Sequence, residues 1–201
     1  MKVVLLMGSM KQDGNTAAVS KYFTDKLSAA GIEVAYIELA QKKINPCIGC
    51  AVCQDILDDY GCIHKDDVSE ICNQIMSADA IFIATPIYSW YSTTPVKSLM
   101  DRLVYMMNKY YGEIRGGSSW SGKKMGVITT CGYPDHYGAD LFITGVKRYT
   151  KHSDLIYLGN FNARDRGRKF DFMTEDVKKA TDSYAEEVIS ALMNADQAKC
   201  H

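Results

Sequence analysis

The chain has 201 residues, the length of one domain with a sizeable hydrophobic core. A formal net charge of −1 and a pI near 6.4 leave no basic footprint for nucleic acid, and no apolar run approaches a membrane span. Seven cysteines in a chain that opens on a strand-like run suggest metal ligands or redox groups rather than a disulfide framework; the cytoplasm is the expected compartment.

The first predicted strand covers residues 2–7. It empties into Gly8-Ser9-Met10-Lys11-Gln12-Asp13-Gly14-Asn15-Thr16, and a helical pattern follows over 16–30. The first N–H groups of a helix have no partners within it, and the helix dipole favours negative charge there, so a strand–loop–helix passage of this composition makes an anion site. Ser9, Asn15 and Thr16 add side-chain donors, although Asn15 or Thr16 would serve equally as an ordinary helix cap. A Walker A loop is excluded: five residues separate Gly8 from Gly14, and Asn15 stands where its lysine would be. The dinucleotide fingerprint G-x-G-x-x-G is absent too. What remains suits one tethered phosphate monoester.

A second strand is expected over 33–39, then a long connection over 41–65. A helix over 67–77 opens on Asp67 and Glu70, a capping-box pattern. The third strand, 80–85, leads into Pro86-Ile87-Tyr88-Ser89-Trp90-Tyr91. Thr94 then precedes Pro95 at the start of a helix over 95–110. After a second long connection, 111–122, come a strand over 124–130, the turn Cys131-Gly132-Tyr133-Pro134 and a helix over 137–150. A strand over 154–159 and a helix over 175–194, with Thr174 before its acidic first turn, complete the chain. Five such βα units predict one α/β domain, a doubly wound parallel sheet with helices on both faces. Ligands of these sheets bind beyond the carboxyl ends of the strands, and long connections in compact domains are usually functional. Three loops there offer a phosphate cradle, an aromatic wall with a rigid proline, and backbone beside a glycine. A planar, partly polar ring with a phosphate tail fits all three, although any one of Tyr88, Trp90 and Tyr91 could instead fill the core or an interface.

Within the first long connection, Cys47, Cys50, Cys53 and Cys62 have the spacing C-x2-C-x2-C-x8-C. The C-x2-C-x2-C run resembles a ferredoxin-type binding run for a 4Fe-4S cluster. Zinc, buried small side chains or a redox-active thiol pair remain open. Cys72 reads as helix packing, Cys131 borders the proposed ring site and Cys200 lies in the tail. His64, His136, His152 and His201 are scattered, and no nucleophile–base pair is placed by spacing. Lys97 and Asp101, four apart, share a helical face with Arg102 beside them, and read as helix anchors.

Taken together, Gly8-Ser9-x-Lys11-x-x-Gly14-Asn15-Thr16, Pro46-Cys47-x-Gly49-Cys50-x-x-Cys53, Gly61-Cys62-x-x-x-Asp66-Asp67, Thr85-Pro86-x-Tyr88 and Lys97-x-x-x-Asp101-Arg102 resemble the flavodoxin-like NADPH-dependent FMN reductases, and within them the iron–sulfur flavoproteins. The resemblance spans about residues 1–160. It implies a flavodoxin-like sheet of strand order 2-1-3-4-5 and one FMN per chain. The FMN phosphate would sit on Ser9, Lys11, Asn15 and Thr16, and its ring against Pro86, Ile87, Tyr88, Ser89 and Trp90 and against Thr130, Cys131 and Gly132. Cys47, Cys50, Cys53 and Cys62 would be the cluster ligands. It also implies a homodimer or homotetramer in which a neighbour closes the flavin pocket. Two departures stand out: Met10-Lys11 replaces the family's frequent Pro-Arg, and the eight-residue spacer before Cys62 is longer than is common in the iron–sulfur members. The expected activity is electron transfer from NAD(P)H through flavin to a small acceptor such as a quinone, flavin, azo or nitro compound. The alternatives are an electron carrier exchanging electrons with ferredoxin and a thiol or metal sensor.

Overall fold

A computed structural model describes residues 1–197, apart from the side chains of residue 135 and residues 195–197; Cys200 and His201 lie outside the described residues. Five strands form one parallel sheet in the order β2-β1-β3-β4-β5: β1 Lys2–Met7, β2 Glu33–Glu38, β3 Ala80–Pro86, β4 Lys124–Cys131 and β5 Ile156–Arg164. The helices are α1 Asn15–Ala29, α2 Val68–Ser77, α3 Thr94–Met107, α4 Asp135–Gly138, α5 Asp140–His152 and α6 Glu175–Gln197. This is the expected flavodoxin-like order. No described helix is long and apolar enough to cross a membrane.

The alternation of side chains along each strand divides the core in two. Val4, Leu6, Ile81 and Ile83 face Ile71 and Ile75 of α2, Leu99 and Leu103 of α3 and Val146 of α5. Val3, Leu5, Phe82 and Ala84 face Phe23 and Leu27 of α1 and Tyr184 and Val188 of α6. Phe23 and Tyr184 stack with ring centroids 5.5 Å apart, and Phe82 lies 5.0 Å from Phe23.

Several boundaries differ from the pattern of the sequence, each for a local reason. Asp154 sits in the left-handed region at φ 56 and is a turn residue, so β5 starts later. It continues to Arg164, past a register irregularity between Met125 and Val127 that is accommodated by Gly159 at φ 92. Helix α3 stops at Met107 because Asn108 leaves it to bond across the loops. The Asn108 amide donates to Ser153 Oγ at 2.9 Å, and its carbonyl side-chain oxygen accepts from the Trp120 indole at 3.0 Å. The single helix expected over 137–150 is split at Ala139 into α4 and α5. The Asp67–Glu70 capping box does not form: Asp67 Oδ2 accepts instead from the Lys43 N–H at 2.7 Å. The N-cap of α3 is Thr93 rather than Thr94, and the Thr93 hydroxyl donates to Gly8 O at 2.6 Å. At α6, Thr174 Oγ1 accepts from the Val177 N–H at 3.4 Å, as an N-cap does.

The two long connections clamp each other. Gln54 donates to the backbone oxygen of Asn108 at 3.0 Å and accepts from Tyr111 N–H at 2.9 Å, while Asp55 accepts from Glu113 N–H at 2.9 Å.

The end of β1 is the tightest approach. The Gly8 N–H donates to Ala84 O at 2.7 Å, and a β-carbon on Gly8 would come within 2.1 Å of Val96 Cγ2 on α3. Gly8→Ala is therefore expected to destabilise by about 1–3 kcal/mol, as overpacking does. A thermal melt should fall by roughly 2–4 °C per kcal/mol at this size; an unchanged melting temperature would contradict this packing.

Candidate functional site

Helix α1 begins at Asn15 behind the N-cap Gly14. No side chain makes a cap hydrogen bond, and its first turn holds no acidic residue. The first intrahelical bond runs from Ala18 N–H to Gly14 O at 2.9 Å. The N–H groups of Asn15, Thr16 and Ala17 thus face the loop, an arrangement that favours an anion. Ser9, 5% exposed, accepts from Lys11 N–H at 3.1 Å and fixes the loop's return. Thr16 and Thr130 share a hydroxyl–hydroxyl bond of 2.7 Å that joins the first and fourth strand ends. The Ile87 N–H donates to Thr130 O at 2.8 Å, joining the third.

These loops enclose a cleft of about 710 Å³. Ser9, Lys11, Asn15, Thr16, Pro86, Ile87, Tyr88, Thr130, Cys131 and Gly132 all line it. Ser89 and Trp90 do not. They form the tip of a two-residue turn at φ 50 and 67, closed by paired bonds between Tyr88 and Tyr91 of 2.9 and 3.0 Å. Positive φ at both central positions is the I′ geometry, which Asn-Gly normally fills. Here the Trp90 indole donates to Tyr137 O at 3.0 Å and holds the turn against α4. The Ser89-Trp90 pair therefore fixes the position of Tyr88 without lining the cleft.

The cleft has a further wall that no local sequence pattern predicts. The segment after β5 brings Asp165, Arg168, Phe170 and Phe172 to the cleft. The Asp165 N–H bonds to Cys131 O at 2.8 Å, and Gly167 turns at φ 93. Its only sequence signal was Arg-Asp-Arg-Gly-Arg at 164–168, a polar stretch between a strand and a helix.

Cys47, Cys50, Cys53 and Cys62 line a second, smaller pocket of about 130 Å³, together with Arg102, Tyr105 and His64. Gly49 and Ala51 have φ 68 and 57, which turns the chain between successive thiols. Among the described residues, no set of three or more His, Cys, Asp or Glu side chains is placed to hold one metal ion. Burial pushes the Cys53 thiol pKa up, with Lys109 acting against it.

Two buried cations flank the pocket. Arg102, 1% exposed, pairs through one nitrogen with both oxygens of Asp66 at 2.6 and 2.9 Å. Lys109, 4% exposed, donates to the carbonyls of Cys53 at 2.8 Å and Asp59 at 3.0 Å. It makes no ion pair with a carboxylate among the described residues; burial lowers its pKa, with Cys53 and Asp59 acting against that shift. Lys97 and Asp101 form an exposed pair at 2.6 Å, as anchors on a helix face do, but Arg102 turns inward instead.

The profile of the family described as NADPH-dependent FMN reductase matches residues 1–142. The chain belongs to that family. An iron–sulfur flavoprotein of Methanocaldococcus jannaschii is 31% identical over 179 residues, covering 84% of this chain and 85% of that one. Among solved structures, the FMN-dependent NADH-azoreductase of Bacillus anthracis in complex with FMN superposes on this FMN reductase family member with a TM-score of 0.68 at 17% identity, over 95% of this chain and 98% of that one. A Streptococcus pneumoniae flavodoxin gives a TM-score of 0.58 at 15% identity, covering 95% of this chain and 99% of that one. At such identities, both establish the fold alone.

Burial alone would raise the Asp66 pKa, but the Arg102 guanidinium and the Asn45 N–H groups draw it down to about 2 from 3.8. A depressed carboxyl stabilises the fold above its unfolded value and loses that contribution as pH falls through the folded value. The contribution is about 2 kcal/mol. Denaturant midpoints should therefore drop between about pH 4 and pH 2 in the native chain, and much less over that window in Asp66→Asn. Equal acid sensitivity in the two proteins would contradict the pairing.

Proposed function

We propose that this chain is an FMN-dependent oxidoreductase that takes electrons from NAD(P)H and delivers them to a small acceptor. The observation that carries the reading is the convergence of ten candidate residues, from the ends of three strands, on one cleft floored by an uncapped helix start. The donor set suits a phosphate monoester: backbone N–H groups of Asn15 and Thr16, hydroxyls of Ser9 and Thr16, and the Lys11 ammonium. Pro86, Ile87 and Tyr88 offer a flat apolar face, and Thr130, Cys131 and Gly132 offer backbone polar groups to a ring edge. The chemistry that FMN brings when bound is hydride and electron transfer, with quinone, flavin, azo or nitro compounds as the acceptor class. The chain's own contribution is to orient the ring, neutralise the phosphate and limit water. Tyr88, Tyr133 and Tyr137 stand more than half exposed near the rim. They favour a homodimer or homotetramer in which a neighbour covers the cleft.

A second reading concerns the four cysteines. Four thiols that line one pocket, three of them in a C-x2-C-x2-C run, suit an iron–sulfur centre better than zinc. The name of the M. jannaschii relative points the same way. In that case Cys47, Cys50, Cys53 and Cys62 would hold a 4Fe-4S cluster, and an external carrier such as ferredoxin becomes a partner.

Purified protein reconstituted with FMN should oxidise NADPH or NADH in the presence of a quinone or azo acceptor, and should lose that activity when FMN is removed. Thr16→Val should raise the Kd for FMN about tenfold, a loss of about 1.4 kcal/mol. FMN-loaded protein inactive with both nicotinamides and every acceptor class would argue for a carrier instead.

A further inference from the structure

Arg102 has more donors than Asp66 uses. Its NH1 nitrogen makes the carboxylate bonds and also lies 3.4 Å from Asn45 O, while NH2 donates to Cys62 Sγ at 3.2 Å. Its Nε has no partner among the described residues, although the side chain is 1% exposed and lines the cysteine pocket. Asp66 is itself saturated, accepting also from the Asn45 N–H and amide at 2.9 Å each. The carboxylate thus fixes the guanidinium plane, and the plane's remaining edge is turned to sulfur. A guanidinium suits this double task because its donors form a rigid fork; an ammonium would pair with one side only.

The buried cations hold the segments that carry the pocket's thiols. Arg102 and Lys109 are buried cations, and among the described residues Asp66 is the carboxylate ion-paired with Arg102. Lys109 holds Cys53 O and Asp59 O, near the two ends of the long spacer before Cys62. That spacer, which carries Asp59, is folded back on the Lys109 ammonium. A buried guanidinium that lines the pocket and donates an N–H···S bond to Cys62 favours negative charge on that sulfur.

Resting on the iron–sulfur reading above, we propose that Arg102 is a positioning residue for the sulfur centre, holding Cys62 by its NH2 group and raising the centre's reduction potential. The reduced form of a thiolate-ligated cluster is one charge more negative than the oxidised form. A cationic N–H donor on a ligand sulfur therefore stabilises the reduced form more, and hydrogen bonds to sulfur are among the determinants of cluster potential. Arg102 touches a ligand rather than the reacting atoms, so its effect belongs to the potential and not to substrate binding.

The test uses whole protein purified anaerobically. Iron and sulfide are assayed first: about four of each per chain is the starting condition, and protein without iron overturns the iron–sulfur reading and this proposal together. In iron-loaded native protein labelled with 15N-arginine and reduced with dithionite, pulsed EPR should detect one arginine nitrogen coupled to the cluster. This measurement needs no substitution, so it stands even if a variant fails to fold. Arg102→Lys keeps a cation opposite Asp66 but loses the second donor; its midpoint potential should move negative and the coupling should vanish, at unchanged iron content and flavin affinity. An iron-loaded native protein with no arginine coupling, or an Arg102→Lys protein with the native potential, overturns the role of Arg102 and leaves the cluster standing.

Discussion

Helix α1 starts without a side-chain cap and without an acidic residue in its first turn, and the carboxyl edge of the sheet is arranged around that fact. Helix starts usually satisfy their free N–H groups with a Ser, Thr, Asp or Asn. Here the N-cap is Gly14, and neither nearby hydroxyl accepts from the helix's first N–H groups. Ser9 holds Lys11 N–H, and Thr16 is bonded to Thr130. The positive end of the helix is left toward the cleft. The approach of β1 to α3 at Gly8 fixes the loop from behind, because the Gly8 peptide is bonded on one side to Ala84 and on the other to Thr93. Sheet packing, loop shape and anion preference are thus one arrangement rather than three.

The long connection after β2 follows a different rule. The cysteine loop has little regular structure, with one short 3-10 turn over Val52–Asp55. It is held by buried polar groups: Gln54, Lys109, Arg102 and Asp66 each bond across it or onto it. Such groups cost desolvation and are tolerated where every member finds a partner. Among the described residues, two buried atoms of side chains lining the cysteine pocket have no partner, Arg102 Nε and His64 Nε2. Breaking the Arg102–Asp66 pair would leave a buried charge, a loss of about 3–5 kcal/mol by analogy with other buried pairs. The network therefore serves the loop and its thiols at once.

Much of this architecture was legible in the residues. The run Val3 to Leu6 is apolar throughout because both faces of a central parallel strand are covered, and β1 falls where that run predicts. The edge strand β5 runs beyond its expected end at Gly159 because Asn160, Asn162 and Arg164 are polar and half-buried or exposed, so their pattern resembles a loop. The cleft residues of the first and fourth strand ends could be read from position alone, since ligands gather beyond carboxyl ends. Ser89 and Trp90 could not, because a two-residue turn of positive φ points them away, and neither residue type signals that geometry. The wall formed by Asp165 to Phe172 and the inward turn of Arg102 depend on contacts between segments far apart in the chain, which no local pattern carries.

The central claim is that the start of α1 grips a phosphate monoester. Calorimetric titration of the apoprotein with FMN and with riboflavin, which differ only in that phosphate, tests it most directly. The account predicts FMN binding at least about a hundredfold tighter, a difference of about 2.7 kcal/mol, with the advantage shrinking as salt is raised. Equal affinity for the two compounds, or no binding of either, would contradict it.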